Sequence, residues 1–165
     1  MARVLILCIF LINVIEAQIN FSITPKEIQK GETKYPIPKD LEIKVSPRYR
    51  KEIREKLKLL ENKFVGTDIS IRLSSVETQG NIRSVIFGMM DFKARRFEIP
   101  PQTEGYLLEV TSRGVLLMAR DLMGIQWGLL RLKEVMDMKK RSIPSFLIHD
   151  WPDVRWRGIH LPMPK

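Results

Sequence analysis

The stretch from Glu104 to Met136, EGYLLEVTSRGVLLMARDLMGIQWGLLRLKEVM, restricts the fold more than any other part of the chain. Tyr106, Leu108 and Val110 alternate with Leu107 and Glu109, the period of a half-buried strand. Ser112-Arg113-Gly114 supplies a turn in which Gly114 is expected to take a positive φ. Val115 to Ala119 returns as a continuously apolar strand, suited to the middle of a sheet. Asp121 then offers a carboxylate to the free N–H groups of a helix start. Along the predicted helix, Asp121 to Asp137, Leu122, Ile125, Leu129, Leu132 and Met136 gather on one face. Gly124 and Gly128 each cost a helix about 1 kcal/mol relative to alanine. Their presence predicts that the helix backbone comes close to the sheet.

The other elements follow from similar patterns. Leu41, Ile43 and Val45 alternate with Glu42 and Lys44, and Ile69, Ile71 and Leu73 with Ser70 and Arg72; both read as strands with one wet face. Ser46-Pro47 reads as a capped helix start, and Ile53, Leu57, Leu60 and Phe64 form the buried stripe of a helix that Gly66 closes. Further strands are predicted near 82–88 and 143–148. Two long helices and six strands, near 41–45, 69–73, 82–88, 106–111, 114–119 and 143–148, define an α+β two-layer sandwich: a mixed, mainly antiparallel sheet with both helices on one face. Residues 18–34, polar and interrupted by Pro25 and Gly31, read as an irregular leader.

Residues 1–17 stand apart. Arg3 precedes an apolar run from Val4 to Ile12, and Ala17 offers a small residue for cleavage, the layout of a signal peptide. The expected destination is secretion, or the cell envelope or periplasm, with no stable membrane anchor, because the run is too short to span a bilayer comfortably. Cys8, the one cysteine, lies inside this segment, so no disulfide or cysteine metal site is expected after cleavage. His149 and His160 stand without a second ligand at metal spacing, and no metal or cofactor is expected. The formal charge of +9 permits polyanion binding. The basic residues are interleaved with glutamates and lack an aromatic strip for stacking bases, so nucleic acid is not expected as a partner.

The order of several short motifs resembles family 20 glycoside hydrolases, the β-N-acetylhexosaminidases. They are Tyr35-Pro36-Ile37-Pro38, Gly105-Tyr106, Ala119 to Asp121, Gly124 with Gly128, Ile143-Pro144, and Asp150 to Gly158. The resemblance is to the non-catalytic N-terminal α+β domain, here 35–150, with 151–165 as the link and the start of a catalytic (β/α)₈ barrel. In that family an Asp-Glu pair beyond the first barrel strands does the chemistry: the Glu protonates the leaving oxygen, and the Asp orients the substrate's own acetamido group. The resemblance places this chain before such a pair, so no catalytic residue is assigned.

The resemblance implies an accessory domain acting on N-acetylglucosamine- or N-acetylgalactosamine-terminated glycans only through its barrel. Trp151, Trp156, Arg157 and Ile159 are the expected interface residues with that barrel. Lys165 stands where the family has a sugar-binding arginine, and Pro162 replaces an aspartate. A lysine offers a point charge instead of a planar fork, so this swap is not conservative. Asp150 and Asp153 are expected only to cap and to bond the turn around Pro152. The apolar end segment predicts self-association where no barrel covers it. The alternative reading is a free-standing secreted module that binds carbohydrate or protein.

Overall fold

The computed structural model describes residues 19, 21–77, 81–90 and 98–153. The elements are β1 (Glu27–Pro36), β2 (Asp40–Val45), α1 (Arg50–Phe64), β3 (Ser70–Ser75), β4 (Arg83–Gly88), β5 (Tyr106–Thr111), β6 (Gly114–Ala119), α2 (Leu122–Val135) and β7 (Ser142–Asp150). They form a two-layer α+β sandwich around one seven-stranded sheet of order β1-β7-β5-β6-β4-β2-β3. Only β2 and β3 run parallel, joined through α1; every other pair is antiparallel. The predicted fold class holds.

Register aligns the core in rows that cross the strands. Ile148, Leu108, Leu117, Val85 and Val45 are successive partners from β7 to β2, and none is more than 1% exposed. Phe146, Val110, Val115, Phe87 and Ile43 form the next row. Both rows share one core with Ile53, Leu57 and Leu60 of α1 and Ile125, Leu129 and Leu132 of α2. The opposite face carries a smaller cluster of Ile86, Ile99, Leu116 and Met118.

The α2 glycines do what their cost implied. A Cβ on Gly124 would lie 2.5 Å from the Gly105 carbonyl oxygen and 2.8 Å from the Ala119 Cβ. One on Gly128 would lie 2.2 Å from Leu117 Cδ1. The helix therefore runs along β6 with its glycines over Ala119 and Leu117. Asp121 caps it, accepting from the Gly124 N–H at 2.7 Å.

Four local expectations need correction. Residues 27–34 of the expected irregular leader belong to β1, an edge strand paired antiparallel with β7 and bulged between Lys30 and Lys34. Gly114 is not in the positive-φ region; a Cβ there would meet the Phe87 carbonyl oxygen at 2.1 Å, so close approach of β4 explains the glycine. Ser46 does not cap a helix with its side chain. A 3-10 turn, Pro47–Tyr49, comes before α1, and the Ser46 hydroxyl instead accepts from the Ser84 N–H at 2.8 Å. β3 extends to Ser75, two residues beyond its predicted end.

Candidate functional site

One end of the sheet carries a polar row. Asp150 of β7, Tyr106 of β5, Ala119 of β6 and Arg83 of β4 are successive partners there. Over its β7 side opens a groove of about 800 Å³, lined among others by Lys63, Glu104, Trp127, Leu130, Arg131 and Trp151. β5 and β7 supply its floor and α2 one wall. Residues 22–26 of the leader cross its rim.

Asp150 is the hub of this end. Its Oδ1 accepts the backbone N–H groups of Lys26 at 3.2 Å and Trp151 at 3.1 Å. Its Oδ2 accepts the Tyr106 hydroxyl at 2.9 Å and faces Arg131 Nη2 at 3.5 Å. The carboxylate thus ties the leader, the departing chain, β5 and α2 together. This goes beyond the turn bonding expected of it, although the bond to Trp151 is of that kind. Asp153 pairs with the Lys26 ammonium and adds a second tie between leader and link.

Arg131 is the charged residue on the buried face of α2. It donates through Nη1 to Glu134 at 2.9 Å and through Nε to the Tyr106 hydroxyl at 3.3 Å. Its guanidinium also lies 4.9 Å from the centre of the Phe21 ring, which meets Phe146 edge-on. Burial works against its charge, but the hydrogen bonds to Tyr106 and Glu134, with the Glu134 charge, outweigh that and hold its pKa up. Burial pushes the Tyr106 phenol well above its ordinary pKa; the Arg131 bond opposes this and the Asp150 charge reinforces it. Tyr106 therefore stays neutral, donating to Asp150 while accepting from Arg131. The Ser22 hydroxyl donates to Glu134 and holds the leader against α2.

Asp121 has a second task. Its Oδ2 accepts the Glu104 N–H at 2.7 Å, and Glu104 has a φ of 64°, a conformation disfavoured for a residue with a Cβ. In that position the Glu104 carboxylate accepts the Trp127 indole N–H at 2.8 Å. The indole is thereby fixed, half-buried, in the groove wall. Asp150, Glu134 and Glu104 are all engaged in holding the chain, which makes this end a clasp.

Of the predicted interface residues, Trp151 lies half-buried in the groove lining. Trp156, Arg157, Ile159 and Lys165 lie outside the described residues, as do His160, Cys8 and the segment 1–17. His149 sits opposite Glu27 in the β1–β7 register, with Nδ1 3.5 Å from its carboxylate. Among the described residues no group of three or more His, Cys, Asp or Glu is placed to hold a metal, and no helix is long and apolar enough to cross a membrane. Sequence reasoning missed Arg131 and Tyr106 as partners of Asp150. The available signal was a charged residue within the apolar face of α2.

A mainly antiparallel sheet with both helices on one face, and a clasp at the end of β7, defines a two-layer α+β module. The sequence matches the family model described as glycosyl hydrolase family 20, domain 2, over residues 24–151. The chain belongs to that family and carries this domain. Its fold is similar to the structure titled "Structure of CpGH84B", at 19% identity and a TM-score of 0.60, covering 85% of this chain and 24% of that one. It is also similar to a beta-N-acetylhexosaminidase from Bacteroides fragilis, at 18% identity and a TM-score of 0.58, covering 82% of this chain and 25% of that one. At these identities the likeness concerns the fold, and the chain spans about a quarter of the length of each structure. No curated protein matches it.

Proposed function

We propose that this chain is the non-catalytic accessory domain of a secreted β-N-acetylhexosaminidase-like hydrolase. In this reading its groove seats the catalytic (β/α)₈ barrel that follows in the family. The family match over residues 24–151 carries the reading. The clasp supports it, because Asp150 holds the N–H of Trp151 and so fixes the direction in which the chain leaves the sheet. Trp127, Leu130 and Trp151 beside that exit offer the half-buried apolar surface that a neighbouring domain covers. Glycans ending in N-acetylglucosamine or N-acetylgalactosamine are the substrates of the whole enzyme in this account, cleaved only in the barrel.

Sequencing the transcript past the Lys165 codon tests the reading. An Asp-Glu pair within a barrel pattern of alternating strands and helices is expected. A stop codon, or an unrelated domain, would favour a free-standing module. The purified chain, for its part, is expected to hydrolyse no aryl N-acetylglucosaminide; activity that persists through stringent purification would overturn the non-catalytic assignment.

A further inference from the structure

The polar row continues away from the clasp to Arg83, and there its character changes. Arg48 and Arg83 lie over the Tyr49 ring, with guanidinium carbons 5.6 and 4.1 Å from its centre. Both also converge on Asn81: Arg48 Nη1 donates to its Oδ1 at 3.1 Å, and Arg83 Nη1 to its carbonyl at 3.2 Å. Arg83 donates to the Arg120 carbonyl as well. Arg50 reaches from the first turn of α1 to the Leu73 carbonyl at 3.0 Å and the Ser75 hydroxyl at 3.4 Å.

Every one of these acceptors is neutral. Among the described residues, Arg131 and Arg141 have carboxylate partners, whereas Arg48, Arg50 and Arg83 have none. Arg83 Nε is buried and has no acceptor among the described residues. Neutral acceptors fix the forks in place without cancelling their charge, and that is the arrangement an oxyanion site requires. The Arg48 and Arg83 guanidiniums, which share the Tyr49 ring and Asn81, also repel one another, a cost that a bound anion relieves.

We propose that Arg48 and Arg83 form a clamp for the sulfate or carboxylate groups of an acidic glycan, with Arg50, two residues along the chain from Arg48, adding positive charge beside it. The clamp lies at β4, three strands from β7, about 14 Å along the sheet from the exit at Asp150. That separation leaves it open when a following domain covers the groove. The choice of a glycan over another polyanion rests on the glycan-acting role proposed above. Binding is read on the chain alone, so failure of the clamp would leave the domain assignment standing.

The test compares the chain with R48Q/R50Q, which keeps Arg83 and its carbonyl bonds, and with a control, K30Q/K139Q, that removes equal charge from exposed lysines elsewhere. Affinity for a sulfated glycosaminoglycan oligosaccharide is measured by titration calorimetry at physiological salt, with thermal melts to establish that each variant is folded. R48Q/R50Q is expected to bind about tenfold more weakly and with a shallower salt dependence, the control within about twofold of the parent. A neutral N-acetylglucosamine oligomer is expected not to bind. Equal losses in both variants would overturn the clamp in favour of diffuse charge. Displacement by inorganic sulfate at matched sulfate concentration would reduce it to a site for lone anions. Tighter binding of a polyglutamate peptide would assign the surface to an acidic protein partner instead.

Discussion

The Tyr106 hydroxyl donates to Asp150 Oδ2 at 2.9 Å, joining the first residue of β5 to the last of β7 where the chain leaves the sheet. Removing either partner strands the other beside Arg131. Asp150→Ala should cost about 2–4 kcal/mol, because two backbone N–H groups, a phenol and a guanidinium lose an acceptor together. Tyr106→Phe removes one bond from each neighbour and should cost about 1 kcal/mol. Urea titrations of both variants check the ranking; equal and negligible losses would mean that the clasp does not stabilise the fold.

Alkali should weaken the protein through its buried phenols. Burial raises the pKa of Tyr106 and of Tyr35 above the ordinary value of 10.0. An unfolded tyrosine ionises first, so this stability is complete below about pH 10 and is lost as the pH climbs towards the folded-state values. Urea midpoints should hold steady from about pH 8 and fall beyond about pH 10, with Tyr106→Phe falling less steeply. Parallel curves for the two proteins would remove Tyr106 from this account.

The α2 glycines should differ in what alanine does to them. At Gly124 a methyl group meets the Gly105 backbone, so Gly124→Ala should destabilise by about 1–3 kcal/mol despite its better helix propensity. At Gly128 the obstacle is the tip of Leu117, which can shift more readily, so Gly128→Ala should cost less. Thermal melts of the two single variants give the order directly.

Much of this architecture could be read from the sequence, and the losses have a physical pattern. Both helices carry apolar residues at helix period because each buries one face on the shared core, and β6 reads as continuously apolar because it is buried on both faces; β5, expected to be half-buried, is buried on both faces as well. β1 escaped because Tyr35 is its one buried residue; an edge strand with one neighbour and little core contact needs no alternation. The clasp was hidden for a different reason. Asp150, Tyr106 and Arg131 lie far apart in sequence, and only the sheet register and the turn of α2 bring them together. At Asp150 a link containing proline explains an aspartate without any distant partner. Arg83 likewise gives no local sign that it shares a row with Tyr106.

With nothing seated in the groove, Trp127, Leu130 and Trp151 leave an apolar surface that should make the isolated chain self-associate. Sedimentation velocity should show a weight-average mass that rises with concentration, and Trp127→Glu should suppress the rise. A monomer at every concentration would argue that this surface is not an interface.

The claim that the sheet from β1 to β7 with its two helices is a self-sufficient accessory domain, closed at Asp150, is tested most directly by one comparison of stabilities. Leu129 is fully buried on the core-facing side of α2, and Leu129→Ala should cost about 2–5 kcal/mol in a denaturant melt. Ile159, in the segment assigned to the following barrel, should tolerate alanine at under about 1 kcal/mol. If Ile159→Ala proves as damaging as Leu129→Ala, the C-terminal segment belongs to this core and the boundary at Asp150 is wrong.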